Sequence, residues 1–405
     1  MPDETDNTVP SNFKLNVVKI LKNHPEGKEI VKTLRDKDKF LTLQSRRLMV
    51  RILVSALIEE YGKFPTARVK VVLASSLVQE FPRLKDKEGE GYEAWYCRGV
   101  GGKPATGFIE ERLRNVRKRM NPEKSTKRLS SSGSPSLSAS LTLEKATHST
   151  SDNIAKLAWL KHNHEPESQV KEYMKQTAHL RAIQIKENPD KSLEGILRDH
   201  PRLLDIGMIE LDFKVLYEDK ADLLFERWET TFANRVLAYA AVQRPGWKKL
   251  FNLDVDDLTD DEESVIALQL LPLVLPTKPF KNGKQVVRPS QMEAYRKFIE
   301  FLPIGTDLNY HLGKDENGPP HIITIGCSAK NPTEAFVAFE QNAIKCPTLL
   351  KAVDLCFKSF YILDVNYPRE CYTVWEFLQT VVYEMGDEKS SPLIKSLRNF
   401  FLPDD

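Results

Sequence analysis

The stretch that most constrains this 405-residue chain is the Ser/Thr-rich tract "STKRLSSSGSPSLSASLTLEKATHSTS", residues 125–151. It holds almost no large apolar side chains, so it has too little to bury to offset the entropy of ordering its backbone. The composition predicts a flexible linker over 123–151, with folded structure on both sides. The expected plan is a polar and helical segment over 1–38, a basic helical module over 39–122 and, beyond the linker, a helical domain over 152–275 and an α+β region over 276–405.

Apolar spacing supplies the elements. "QSRRLMVRILVSALIEEY" (44–61) reads as a helix in which Leu48, Ile52, Leu53, Ser55, Ala56 and Glu59 fall at helical intervals, stopped by Gly62. A second helix over 67–81, ended by Pro82, turns Val69, Val72, Leu73, Ser76 and Leu77 inward. A Gly-rich connector carries Tyr92, Trp95 and Tyr96, aromatics that dock back on a core. Thr106 or Gly107 then caps a third helix, "GFIEERLRNVRKRM" (107–120). After the linker come helices over 155–163, 167–187 and 221–243, a helical run broken by Pro201 and Gly207, and an acidic-start helix ending at Pro272 and Pro276. "HIITIG" and "AFVAFEQNAI" read as short strands, and wide apolar stripes over 348–363 and 370–385 read as buried helices. The fold class expected is mostly α with a minor β component: a small three-helix basic module plus a larger α+β domain.

Charge is unevenly divided. Residues 41–128 hold 19 Lys and Arg against 10 Asp and Glu, a net of +9, whereas 129–405 nets −8. The third helix concentrates the excess. Ile109, Leu113, Val116 and Met120 form its inner stripe, Arg112 and Arg119 flank one side and Arg117 the other, and Arg114 and Lys118 point outward. Glu110 and Glu111 neutralise the start of the helix but not its end. A helical trio with a basic third helix is the outline of helix-turn-helix DNA-binding modules, in which cations pair with phosphates and outward side chains reach base edges. Arg112, Arg114, Arg117, Lys118 and Arg119 are therefore the nucleic-acid-binding candidates, with DNA or RNA as the partner. The same residues would also serve a surface that docks acidic proteins, a helix C-terminus complementing its dipole, or, in "VRKRMNPEKSTKR", a nuclear import signal. Ser130, at the linker entrance, is a site where a phosphate would lower the local charge.

Two distant groups of residues resemble one family. "RILVSALIEEYGKFPTARVKVVLASSLVQEFPRLKDKEGEGYEAWY" with "GFIEERLRNVRKRM", and later "AFVAFE", "LLKAVDLCFKSFYILDVNYP" and "VWEFLQTVVYE", are similar to the region outside the sterile alpha motif in sterile alpha motif domain-containing protein 3 and its fish relatives. About forty residues precede the basic module, too few for that motif, so the expectation is a relative lacking it. The resemblance implies no catalytic activity and supplies no ligand.

Catalytic patterns are sparse. There is no G-x-x-x-x-G-K-[ST] loop and no G-x-S-x-G elbow. Cys327, near His321 and His311 in sequence, is the single nucleophile option. His162 and His164 are two apart, and Cys346, Cys356 and Cys371 are too dispersed for a zinc pattern. The acidic "DVDDLTDDEE" (254–263) lacks the glycine and ligand rhythm of a calcium loop. Five scattered cysteines suggest reduced thiols inside the cell, and no apolar run reaches the roughly 20 residues a membrane helix needs. The sequence thus predicts no cofactor, no metal, no membrane and no enzyme. It predicts a nuclear nucleic-acid-binding protein whose C-terminal part binds protein partners, or alternatively a cytosolic protein-interaction adaptor.

Overall fold

The computed structural model describes residues 15–36, 39, 41–86, 89–99, 104–120, 151–188, 192–251, 258–283, 285–313, 318–327, 332–385 and 391–401. The chain forms two compact units, Met1–Ser131 with Glu388–Asp405, and Ser132–Asp387. Both are built mostly of helices, with two small sheets in the second. The 123–151 tract lies outside the described residues, apart from Ser151, which opens a helix.

The first unit contains α1 (Val17–Lys22), α2 (Pro25–Arg35), α3 (Leu43–Tyr61), α4 (Ala67–Glu80) and α5 (Phe108–Met120). It is larger than the expected trio. Val17, Leu21, Ile30, Val31 and Leu34 of the first two helices share one core with Leu53, Leu57, Leu73, Leu77, Ile109 and Leu113. The segment before residue 39 is therefore part of the basic module. Thr42 and Thr66 cap α3 and α4, each accepting a bond from the amide three residues on. Gly62, at φ +74°, ends α3. The inward face of α3 is Met49, Val50, Ile52, Leu53, Val54 and Leu57, which leaves Ser55 and Glu59 on the exposed side.

The second unit runs α6 (Ser151–His162), α7 (Glu167–Glu187), α8 (Leu193–Asp199), α9 (Met208–Leu216), α10 (Leu223–Arg227), α11 (Ala233–Gln243) and α12 (Asp260–Val274). Then come β1 (Phe280–Asn282), β2 (Gln285–Val287), α13 (Gln291–Phe298), β3 (Ile299–Pro303), α14 (Leu308–Leu312), β4 (His321–Gly326), β5 (Glu334–Phe339), β6 (Asn342–Cys346), α15 (Leu349–Ile362) and α16 (Tyr372–Phe377). Strands β3 to β6 form one sheet in sequence order, parallel between β3 and β4 and antiparallel thereafter. Helix α15 packs on this sheet and against α9 and α12, so the packing is continuous across the expected division at 275/276. A π-helical turn, Trp228–Phe232, joins α10 to α11, and a second, Leu378–Val382, extends α16. Helix α12 continues through Pro272 to Val274; the proline sits in its last turn, where it removes one backbone donor without ending the helix.

One last helix, α17 (Pro392–Phe401), belongs to the first unit and packs on its turn Pro82–Leu84, burying Ile394, Leu397 and Phe401. The C-terminal α+β region expected over 276–405 thus ends before α17.

Candidate functional site

Helix α5 is seated by the aromatic loop before it. Trp95 is fully buried and its indole N–H donates to the Leu84 carbonyl at 2.9 Å. Cys97 and Thr106 exchange two backbone bonds of 3.0 Å and close the loop. Gly107 has φ +101°, and a Cβ there would stand 2.6 Å from the Trp95 carbonyl oxygen, so the position requires glycine. Its carbonyl accepts the first helical bond, from Glu111. Ile109 and Leu113 then point into the core at 0% exposure, as the stripe predicts.

The charges follow a different plan from a wheel of independent side chains. Glu110 is turned inward, 6% exposed. It holds Lys70 of α4 at 2.7 Å and Arg117 at 3.2 Å. Lys70 also lies 4.8 Å above the centre of the Tyr96 ring. Glu110 therefore neutralises Lys70 and Arg117, not Arg114 as its spacing suggests. Arg117 donates through Nε to the Lys63 carbonyl at 3.0 Å and covers the Phe64 ring at 5.1 Å. Its guanidinium is a brace between α5 and the loop after α3.

Arg114 is exposed, with Nη2 bonded to the Ala105 carbonyl at 2.8 Å. Arg112 is half-buried. Lys118 and Arg119 lie within the helix, but their side chains, like Ser130, fall outside the described residues. Of the five candidates, then, Arg114 and Arg117 are tied to their own unit. Among the described side chains of the five, therefore, only Arg114 is exposed, and it is bonded to its own unit.

The nucleophile option separates in space. Cys327 follows β4 and His321 begins it; six residues at about 3.3 Å each put roughly 20 Å between them. His311 and His321 instead gather on Glu300 of β3, with Nε2 atoms 3.2 and 3.9 Å from its two carboxylate oxygens. Among the described residues no group of three or more His, Cys, Asp or Glu is arranged to hold a metal.

The sequence reading missed two buried ionic clusters in the second unit. Arg181 forms a bidentate pair with Asp212, both bonds 2.7 Å, and both side chains are 2% exposed. Asp354 is fully buried on α15, holding Lys358 at 2.7 Å and accepting from the Tyr383 hydroxyl at 2.8 Å. The available signal was an Asp and a Lys four residues apart inside an almost wholly apolar helix, a spacing that places them on one face. In both clusters the buried charges are met by a partner of opposite sign.

No protein-family model, no curated protein and no solved structure matches this chain.

Proposed function

We propose that this chain is a non-enzymatic binding protein of the nucleus whose N-terminal unit contacts nucleic acid. The observation that carries the reading is that charge segregates by folded unit. Met1–Ser131 with Glu388–Asp405 holds 30 Lys and Arg against 20 Asp and Glu, a net of +10. Ser132–Asp387 holds 29 against 37, a net of −8. A folded unit with that excess attracts a polyanion and releases its counterions on contact. The distance between Cys327 and His321 supports a role without catalysis. In this reading the chain is also a relative of the sterile alpha motif domain-containing protein 3 family, acting through the region outside that motif, with its acidic unit binding protein partners.

The test is fluorescence anisotropy of the full chain against a labelled DNA duplex, with salt varied from about 50 to 200 mM. A linear log–log dependence with a slope of several counterions is expected. Absence of binding at the lowest salt would end the reading. The alternative, a cytosolic adaptor whose basic unit docks an acidic protein surface, draws on the same segregation. It would be favoured if an acidic polypeptide bound and DNA did not. Nuclear import through "VRKRMNPEKSTKR" predicts that changing Lys118, Arg119, Lys127 and Arg128 to Ala leaves a fluorescent fusion in the cytosol.

A further inference from the structure

Arg114 and Arg117 of α5 are engaged within their own unit, which directs attention to the exposed cations of its other helices. We infer that α3, not α5, is the helix that enters duplex DNA, through Gln44, Arg47, Arg51 and Ser55; this rests on the nucleic-acid reading above.

The first observation is commitment. Arg35 pairs with Glu80, Arg46 lies over Phe108, Arg83 donates to the carbonyls of Asp36 and Lys39, and Arg114 and Arg117 are held as described. Arg47 and Arg51 are exposed and make no ion pair or hydrogen bond with another described residue. They stand one turn apart, where like charges destabilise a helix. No acidic residue lies within a turn of either to offset that cost. No described residue uses them.

The second is shape. Gln44, Arg47, Arg51 and Ser55 are all exposed and lie along one side of α3, opposite the Met49, Leu53 and Leu57 face. Eleven residues at about 1.5 Å give an acid-free polar stripe of about 16 Å. Glu59 is the first acid to follow it. The stripe starts at the capped N-terminus of α3, whose first turn has no acidic residue, so the positive end of the helix dipole adds to the arginines.

The third is the groove. A helix with its side chains is about 10–12 Å across, and the major groove of B-form DNA is about 12 Å wide. The major groove of A-form RNA is too narrow and deep for side chains to read. Arginine and glutamine have the donor geometry for guanine and adenine edges, and serine suits either. B-form DNA is therefore the ligand class this stripe fits.

The experiment uses the full chain and the same salt-dependent anisotropy. It compares wild type with R47A/R51A and with the charge-matched control R68A/R98A, which removes two other exposed, uncommitted arginines. Equal melting temperatures check that all three fold. R47A/R51A should lower the salt slope by about 1.8, at roughly 0.9 per phosphate, and weaken binding roughly tenfold or more at about 100 mM salt. The control should do less. If wild type binds and R47A/R51A keeps its slope, or loses no more than the control, the assignment to α3 is wrong while nucleic-acid binding stands. Equal affinity for duplex RNA would overturn it as well. If wild type itself does not bind, the underlying reading fails and takes this one with it.

Discussion

The Glu110 carboxylate can be removed with little change of shape, and the consequence can be worked from the structure. In Glu110→Gln, Lys70 keeps its charge at a side-chain exposure of 10% but loses the group 2.7 Å away. Breaking a buried pair from one side costs about 3–5 kcal/mol, because the remaining ion stays desolvated. Two features set the expected value near the lower end. The Tyr96 ring still faces Lys70, a contact of about 1 kcal/mol. Arg117, at 26% side-chain exposure, can turn toward water. The expected loss is about 3 kcal/mol, a large share of the roughly 5–15 kcal/mol that holds a domain folded. Trp95 is the one tryptophan of this unit and is fully buried, so its fluorine resonance in 5-fluorotryptophan-labelled protein reports urea unfolding of the unit by itself. Glu111→Gln, one position away and exposed, should change stability by less than about 0.5 kcal/mol. The double variant Lys70→Met/Glu110→Leu should recover most of the loss, since no isolated charge remains buried. A cost below about 1 kcal/mol for Glu110→Gln, or a double variant as unstable as the single, would refute the reasoning.

Three further outcomes are expected. Burial, reinforced by the Arg181 charge, pushes His200 from its ordinary 6.5 down to about 4. The unfolded chain binds a proton there that the folded chain refuses, so stability of the second unit is full above about pH 6.5, is lost as pH falls toward 4, and is flat below; His200→Gln should flatten that limb, a difference on the order of 3 kcal/mol in urea titrations. A disulfide reagent on the native protein should label Cys97 and Cys327 promptly, whereas Cys346, Cys356 and Cys371 are buried, with thiols raised by that burial, and should react only after denaturation; more than two prompt thiols would contradict the packing. A 39–128 fragment lacks Leu21, Ile30, Val31, Ile394, Leu397 and Phe401, all core residues of its unit, and should show neither cooperative melting nor dispersed amide resonances.

Long periodic segments were legible. The stripes over 44–61, 67–81, 107–120 and 348–363 all became helices within a few residues of their expected ends. "HIITIG" became β4 because β-branching acts locally, whereas "AFVAFEQNAI", read as one strand, holds most of β5, the turn at Glu340 and Gln341 and the start of β6. β3 was not legible: Ile299–Pro303 follows α13 without a break, and only pairing with β4 makes it a strand. The same holds for α17, whose place in the first unit depends on packing against a turn more than three hundred residues earlier in the sequence. The ion pairing at the candidate site was illegible for a similar reason. A wheel of α5 shows which side Glu110 takes, but not that Lys70 arrives from α4 to meet it.

That difference bears on how a cationic run should be weighed. The net charge of a unit sets the attraction felt at a distance, screened beyond about 10 Å in 0.1 M salt, and every lysine and arginine contributes to it whether paired or not. Contact is more selective. A guanidinium already bonded to a carboxylate and a carbonyl must break those bonds before it can meet a phosphate and release that phosphate's counterion. Arg117 is in that position, so the one described side chain of the most conspicuous basic run adds to the long-range field and braces its unit together. Arg47 and Arg51 are inconspicuous in the sequence, the first beside the buried Arg46 and the second among apolar residues, because a helix packed on one face exposes polar residues only every third or fourth position. Their spacing looks dilute along the chain and becomes one stripe in space. Uncommitted side chains on a rigid face, rather than density of charge along the sequence, are what a groove can select.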